Sequence, residues 1–360
     1  MRQVEIIHLS DIHFGSHHRF VPPRTPDGDR GSREGYPKLL EKLLEDLHEP
    51  DPNCPVLVCI TGDITTTASY DEFEEAEEFF NQLATSTVLG RKQAKTTIFV
   101  VPGNHDVNYK TKKLGERWQQ WTEFYNRLYG TTYKREEPWS FAEVYDFSND
   151  LGLIVLTLNS CIEVEKDTPD ERRGQLDFRQ LDKIKKLLDS IPKASLESAI
   201  RIALIHHHPV LIPALVKGDR GYDAVLRSDR LLSILHQFGF HLLLHGHKHY
   251  PATFLERVNS AFLDIDDQPI MIVAGGSAGS TELPEHPRKT NCYNRITVKW
   301  HSDAGQARIR VLTRGLKLYD GDHESLPTEW RWSQLKAEDR SFYKGQPIPM
   351  PSPNASFAFS

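Results

Sequence analysis

The sequence predicts an α/β sandwich of two mixed β-sheets with helices on its outer faces. Three observations carry this. Strand-like apolar runs alternate with helical patterns from residue 4 to about residue 245. Beyond residue 251 strand-like runs follow one another with little helix between them. Five short clusters of ligand-type residues each follow or end one of the apolar runs. A βαβα alternation implies a largely parallel sheet with right-handed crossovers. The strand-rich later part implies a second, more antiparallel sheet packed on the first.

In chain order, Val4–Leu9 reads as a strand, and Pro37–Leu47 repeats Leu at helical spacing. Val56–Ile60 is a strand and Tyr70–Leu83 an acidic amphipathic helix. The carboxylates of that helix read as its solvated face. Ile98–Val101 is a strand and Leu114–Leu128 an aromatic-rich helix. Phe141–Phe147 and Leu151–Leu158 are strands joined at the turn-like Ser148-Asn149-Asp150. The helix Leu176–Leu188, the strand Ile200–Ile205, the helix Arg230–Phe238 and the strand His241–Leu244 complete the alternation. Ala252–Arg257, Ile270–Ala274, Asn294–Trp300 and Arg308–Thr313 are the later strands. Residues 14–36 form a polar, Pro-containing loop beside the first cluster, and the Pro/Ser-rich tail from about 345 reads as extended or disordered.

Composition narrows the function. The chain has 360 residues, 38% hydrophobic and 26% charged, with a net charge of −6. This fits a soluble globular protein and disfavours a dedicated nucleic-acid binder. No apolar run approaches the ~20 residues of a membrane span, and the first residues do not form a signal peptide. The four cysteines lack C-x-x-C spacing and do not make a disulfide framework. Cys59 and Cys161 read as buried free thiols, which fits a reducing cytoplasm.

The clusters are Asp11-Ile12-His13, Gly62-Asp63, Gly103-Asn104-His105-Asp106, His206-His207-His208-Pro209 and Gly246-His247-Lys248-His249. Loops at the strand ends of an α/β sheet converge on one crevice. Asp11 and His13 can point at one ion, Asp63 can bridge two, and Asn104 offers a neutral oxygen. His207, His247 and His249 add imidazoles. A mixed N/O donor set without Cys suits Mn²⁺, Fe or Zn²⁺. Taken singly, each His is more simply a satisfied core residue, and Asp63 or Asp106 a cap. The ordered set of five outweighs those readings. Within the run His206–His208 one residue should face the ions while its neighbours point elsewhere.

These residues resemble the calcineurin-like metallophosphoesterase superfamily, whose pattern is D-x-H, G-D, G-N-H-[DE], H-x-P and G-H-x-H. All five blocks are present between residues 11 and 249. The resemblance implies a metallophosphoesterase-type sandwich over residues 1–315, with residues 316–360 as an extension. It implies that Asp11, His13, Asp63 and His249 hold one transition-metal ion, and that Asp63, Asn104, His207 and His247 hold another. It selects His207 within its run, and His247 and His249 over His245. His105, with Asp106 beside it, becomes the catalytic residue at the phosphate. The Asn159-Ser160 pair, the segment Gly174-Gln175-Leu176 to Gln180-Leu181 and the H-H-H-P block resemble class III cyclic nucleotide phosphodiesterases. The implied activity is hydrolysis of a small phosphodiester. A nuclease reading needs a basic groove, for which Lys110, Lys112, Lys113 and Arg117 are the candidates. A non-catalytic scaffold should lack ligands or His105, and this chain has them all.

Overall fold

The structure is a computed structural model. It describes residues 2–22, 36–47, 54–88, 91–92, 97–162, 173–212, 224–257, 269–283, 290–301, 306–320, 323–324, 326–343 and 346–347.

The first third of the chain builds half of one sheet and its helical cover. β1 (Arg2–Leu9), β2 (Val56–Ile60) and β5 (Ile98–Val100) are parallel neighbours. Between them run α1 (Leu39–Asp46), α2 (Tyr70–Thr85) and a short hairpin of β3 (Thr87–Val88) and β4 (Arg91–Lys92). α2 starts where Ser69 and Glu72 close a capping box. Glu72 is therefore not part of a solvated face. It is buried, and its Oε2 accepts hydrogen bonds from Thr67 N at 2.7 Å, Thr67 Oγ1 at 3.1 Å and Ser69 N at 3.3 Å. Phe73, Ala76, Phe80 and Leu83 recur at helical spacing and face the core. The expected helix 114–128 is two helices, α3 (Leu114–Arg117) and α4 (Gln119–Tyr129), broken at Trp118, which is fully buried against Phe141.

The middle of the chain builds the second sheet. β6 (Glu143–Phe147) is an antiparallel edge on β7 (Leu153–Thr157). Then come α5 (Phe178–Asp189), α6 (Lys193–Ser198), β8 (Ile200–Leu204), α7 (Ser228–Gln237) and β9 (Leu242–His245). β7, β8 and β9 are parallel neighbours. The Asp177 side chain caps α5 by accepting from Arg179 N at 2.7 Å.

The later strands do not form a sheet of their own, as the sequence reading had expected. β10 (Ala252–Glu256) and β11 (Ile270–Ala274) join the second sheet, where β11 runs parallel to β9. β12 (Cys292–His301) pairs antiparallel with β1, and β13 (Gln306–Lys317) with β12. After a small hairpin of β14 (Tyr319–Asp320) and β15 (His323–Glu324), β16 (Arg331–Tyr343) pairs with β13, and β17 (Gln346–Pro347) with β16. The expected boundary at 315 falls inside β13, and the first sheet continues beyond it. Both sheets are mixed, in the orders β17-β16-β13-β12-β1-β2-β5 and β10-β11-β9-β8-β7-β6.

Packing makes four layers. Val4, Ile6, Leu57, Val155, Leu204, Leu244 and Ile296 belong to the core between the sheets. A second core lies between the first sheet and α1, α2 and α4. A third lies between the second sheet and α5 and α7. Strands buried on both faces read as continuous apolar runs, as β2 and β11 do. Among the described residues no helix is long and apolar enough to cross a membrane. All four cysteines are free and buried, as expected for Cys59 and Cys161.

Candidate metal centre

The five clusters lie at the C-terminal ends of β1, β2, β5, β8 and β9, so the two sheets present their strand ends to one crevice. Backbone pairing continues past the strands and fixes the loops. Asp11 N donates to Gly62 O and His13 N to Asp63 O, each at 3.0 Å. Gly246 N donates to His206 O at 3.0 Å. Two glycines permit the approach. Gly62 has φ +87°, and a Cβ there would lie 2.6 Å from the His206 ring. A Cβ on Gly103 would collide with the Asp63 backbone and carboxylate.

Asp11, His13, Asp63 and His249 form one group, with potential ligand atoms all within 4.8 Å of one another. His13 Nε2 lies 3.2 Å from His249 Nε2 and 3.8 Å from Asp63 Oδ2, and His249 Nε2 lies 3.3 Å from Asp11 Oδ1. The Glu282 carbonyl accepts the His249 Nδ1 proton, which leaves the Nε2 lone pair facing the carboxylates. Two imidazole nitrogens and two carboxylates in one pocket are the donor set a transition metal takes.

A second group gathers around Asn104. Its Oδ1 lies 3.0 Å from His247 Nδ1 and 3.2 Å from His206 Nε2. His206 Nε2 also lies 3.2 Å from Asp63 Oδ2, while its Nδ1 donates to Thr61 O at 2.7 Å. His206 thus joins the group in which His207 was expected. The His207 ring belongs to the same three-histidine group, but its Nδ1 is 2.8 Å from Ser160 Oγ. Strand parity accounts for the position of His206. Ile202 and Leu204 point between the sheets, and His206 continues that face. Ala203 and Ile205 point to the helices.

His105 sits at the edge of both groups. Its backbone N donates to Asp63 Oδ1 at 2.8 Å, its Nδ1 donates to Thr66 O at 2.8 Å, and its ring centroid is 4.8 Å from that of His13. Asp106 does not face the crevice. Its buried carboxylate accepts from Gly103 N, Ile64 N, Thr65 N and Thr65 Oγ1 at 2.8–3.2 Å, tying the Asn104 loop to the Asp63 loop. Sequence reading missed Ser160 as the partner of His207. It also missed the carbonyls of Thr61, Thr66 and Glu282, which as backbone groups leave no side-chain signal.

Charges sort accordingly. Burial opposes ionisation of Asp63, but His206 and His105 hold its carboxyl well below the usual range. Burial also opposes a proton on His206, but Asp63 outweighs it and raises the ring to about 9. His249 is raised in the same way, against burial, by Asp11. Burial drives His13 and His247 well below the ordinary histidine value, so their lone pairs are available. His105 is raised, with Asp63 and the Thr66 carbonyl overcoming burial. Burial and then Asp63 push Asp106 up to about 6, against its backbone donors.

The backbone at these positions is strained. Asp11, His13, Asp63, His247 and His249 have φ between +51° and +77°. Among the described residues only Ala68 and Arg227 are further non-glycine examples, so this conformation concentrates at the centre. Each such residue costs roughly 1–2 kcal/mol.

Two of the four nuclease candidates are engaged locally. Lys113 pairs with Glu116 at 2.9 Å, and Arg117 Nε donates to Thr111 O at 2.8 Å.

Fold and site together define a metallophosphoesterase architecture. Residues 4–251 match the family model described as calcineurin-like phosphoesterase, and the chain belongs to that family. No curated protein matches. Among solved structures, the chain is similar to phosphopantetheinyl hydrolase from Mycobacterium tuberculosis. The identity is 10%, over 77% of this chain and 90% of that one, with a TM-score of 0.41. Vps29 from Chaetomium thermophilum is 11% identical over 95% and 97%, with a TM-score of 0.34. Vps29 of Entamoeba histolytica complexed with Zn²⁺ is 14% identical over 92% and 98%, with a TM-score of 0.32.

Proposed function

We propose that this chain hydrolyses phosphodiesters with two transition-metal ions, and that its substrate is a small diester such as a 3′,5′-cyclic nucleotide. The observation that carries this is the convergence of both donor groups on Asp63. Its Oδ2 is 3.8 Å from His13 Nε2 on one side and 3.2 Å from His206 Nε2 on the other. Asp11, His13, Asp63 and His249 hold the first ion. Asp63, Asn104, His206 and His247 hold the second, with His206 in the place expected for His207. Mn²⁺, Fe and Zn²⁺ fit the donors. When bound, such a pair supplies Lewis-acid polarisation of phosphoryl oxygens and acidifies water at neutral pH.

The protein residues supply the rest. Asp106 holds the Asn104 and Asp63 loops in register. The Thr61 and Glu282 carbonyls fix the tautomers of His206 and His249. His105, anchored through Nδ1 to Thr66 O, keeps Nε2 for a phosphoryl oxygen or for protonating the departing alkoxide. The resemblance to class III phosphodiesterases supports the cyclic nucleotide as substrate, and buried free cysteines fit a reducing cytoplasm.

A substrate panel with Mn²⁺-loaded protein tests the reading. It comprises cyclic nucleotides, a glycerophosphodiester, bis-p-nitrophenyl phosphate, p-nitrophenyl phosphate and single- and double-stranded DNA. Preference for diesters over the monoester is expected. Clear preference for p-nitrophenyl phosphate would reject it, and turnover of DNA alone would favour a nuclease.

A further inference from the structure

The loop Ser277–Glu282 follows the last cluster by nearly thirty residues and lies outside the matched family segment. It nevertheless reaches both ends of the first donor group. Ser277 Oγ donates to Asp11 O at 2.7 Å and accepts from Ser280 N at 2.8 Å. Gly279 N donates to the same Asp11 carbonyl at 3.4 Å. Ser280 Oγ accepts from Glu282 N at 3.0 Å, and the Glu282 carbonyl takes the His249 Nδ1 proton. Asn291 Nδ2 closes the loop from behind, donating to Ser280 O at 2.8 Å and Ser277 O at 3.4 Å. Ser277, Ser280 and Asn291 are fully buried, so no water competes for the bonds that Ser277 and Asn291 make.

We infer that Ser277 and Ser280 are positioning residues for the first metal site. Their hydroxyls set the carbonyls behind Asp11 and His249, the two residues that face each other across that site. Asp11 is held at φ 52° and His249 at φ 52°, conformations that persist only when surroundings over-determine them. The Ser277 bond grips the back of the first, and the Ser280 bond orients the acceptor that fixes the tautomer of the second. Neither hydroxyl touches the second donor group of Asn104, His206 and His247. The Asp11 carboxylate also accepts from His247 N at 3.1 Å, so loss of either bond loosens the first ion far more than the second. Outer partners of this kind are worth 10–100-fold in metal affinity.

The inference rests on the two-ion reading, and Mn²⁺ titration followed by electron paramagnetic resonance separates the two. Wild-type protein should bind two equivalents; if it does not, the two-ion reading itself fails. Given two equivalents, Ser277→Ala and Ser280→Ala should each weaken one of them 10–100-fold and the other much less. His206→Ala, on the opposite group, should weaken the other equivalent. A variant that binds both equivalents like wild type overturns the inference. So does one that weakens both equally, with a lowered melting temperature in the metal-free state, because that pattern means only a general loss of structure. Two single variants keep the test decisive if one of them does not fold.

Discussion

At the scale of single residues, the candidate donors stand out in the sequence because their chemistry marks them, whereas the choice within a run of histidines does not. β8 is buried on both faces, so Ile202 to Ile205 show no polar alternation from which parity can be read. The structure supplies parity through packing, and the difference is measurable. His206→Ala should lose one metal equivalent. His207→Ala, whose ring lies against Ser160, should retain both with weaker affinity. Metal analysis of the two purified variants decides, and the reverse pattern would return the ligand role to His207. His105 makes a second prediction. His105→Ala should keep both metals and lose roughly 10²–10⁴-fold in turnover. The loss should be smaller for nitrophenyl esters, whose leaving groups need little protonation. Equal losses on good and poor leaving groups would assign His105 to charge stabilisation instead.

At the scale of elements, strands and helices followed from periodicity, but strand partners did not, because pairing is decided by distant packing. β10 and β11 read much like β12 and β13, yet they join different sheets. Glu72 shows the same limit within one helix, since its charge pattern resembles that of the exposed Asp71 and Glu74. Its burial follows from the capping box and from the turn at Thr67. Glu72→Ala leaves the Thr67 and Ser69 donors without their carboxylate and should cost about 1–3 kcal/mol. Urea unfolding measures this, and a change below about 0.5 kcal/mol would mean the turn finds other acceptors. His241, at the entry to β9, gives a pH prediction. Burial, and then the Arg201 charge, hold its ring well below the usual histidine value. The folded chain thus refuses a proton that the unfolded chain accepts near pH 6.5. Stability is unaffected above that pH and falls as pH drops below it, by up to about 1.4 kcal/mol per unit. His241→Asn should flatten this share of the slope. Urea titrations of metal-free protein at pH 6.5 and 5.0 compare the two, and parallel slopes would show that the ring is protonated in the fold.

At the scale of the whole molecule, β16 is part of the body that supports the site. β16 pairs with β13 along its length, from Arg331 opposite Lys317 to Tyr343 opposite Gln306. The buried Trp330 and Trp332 rings meet Phe20 at centroid distances of 6.0 and 6.4 Å, and Trp332 meets Tyr293 at 5.0 Å. From Phe20 the contacts run through His18 at 5.7 Å to Phe14 at 4.8 Å, next to His13. The start of β16 thus backs the loop that carries the first donor cluster. Removing a buried Trp side chain costs about 3–5 kcal/mol, against a total stability of about 5–15 kcal/mol for a domain. A chain ending at residue 326 loses both rings and a whole strand, and leaves β13 as a bare edge open to pairing with other chains. It should fail to fold or aggregate, whereas a chain ending at residue 347 should keep its melting temperature, both metal equivalents and turnover. Trp332→Ala gives a graded version, with a loss within the range above. A stable, metal-binding protein ending at 326 would show that the family segment stands alone and that β16 only decorates it. Loss of metal binding in the chain ending at 347 would instead assign the last thirteen residues to the site.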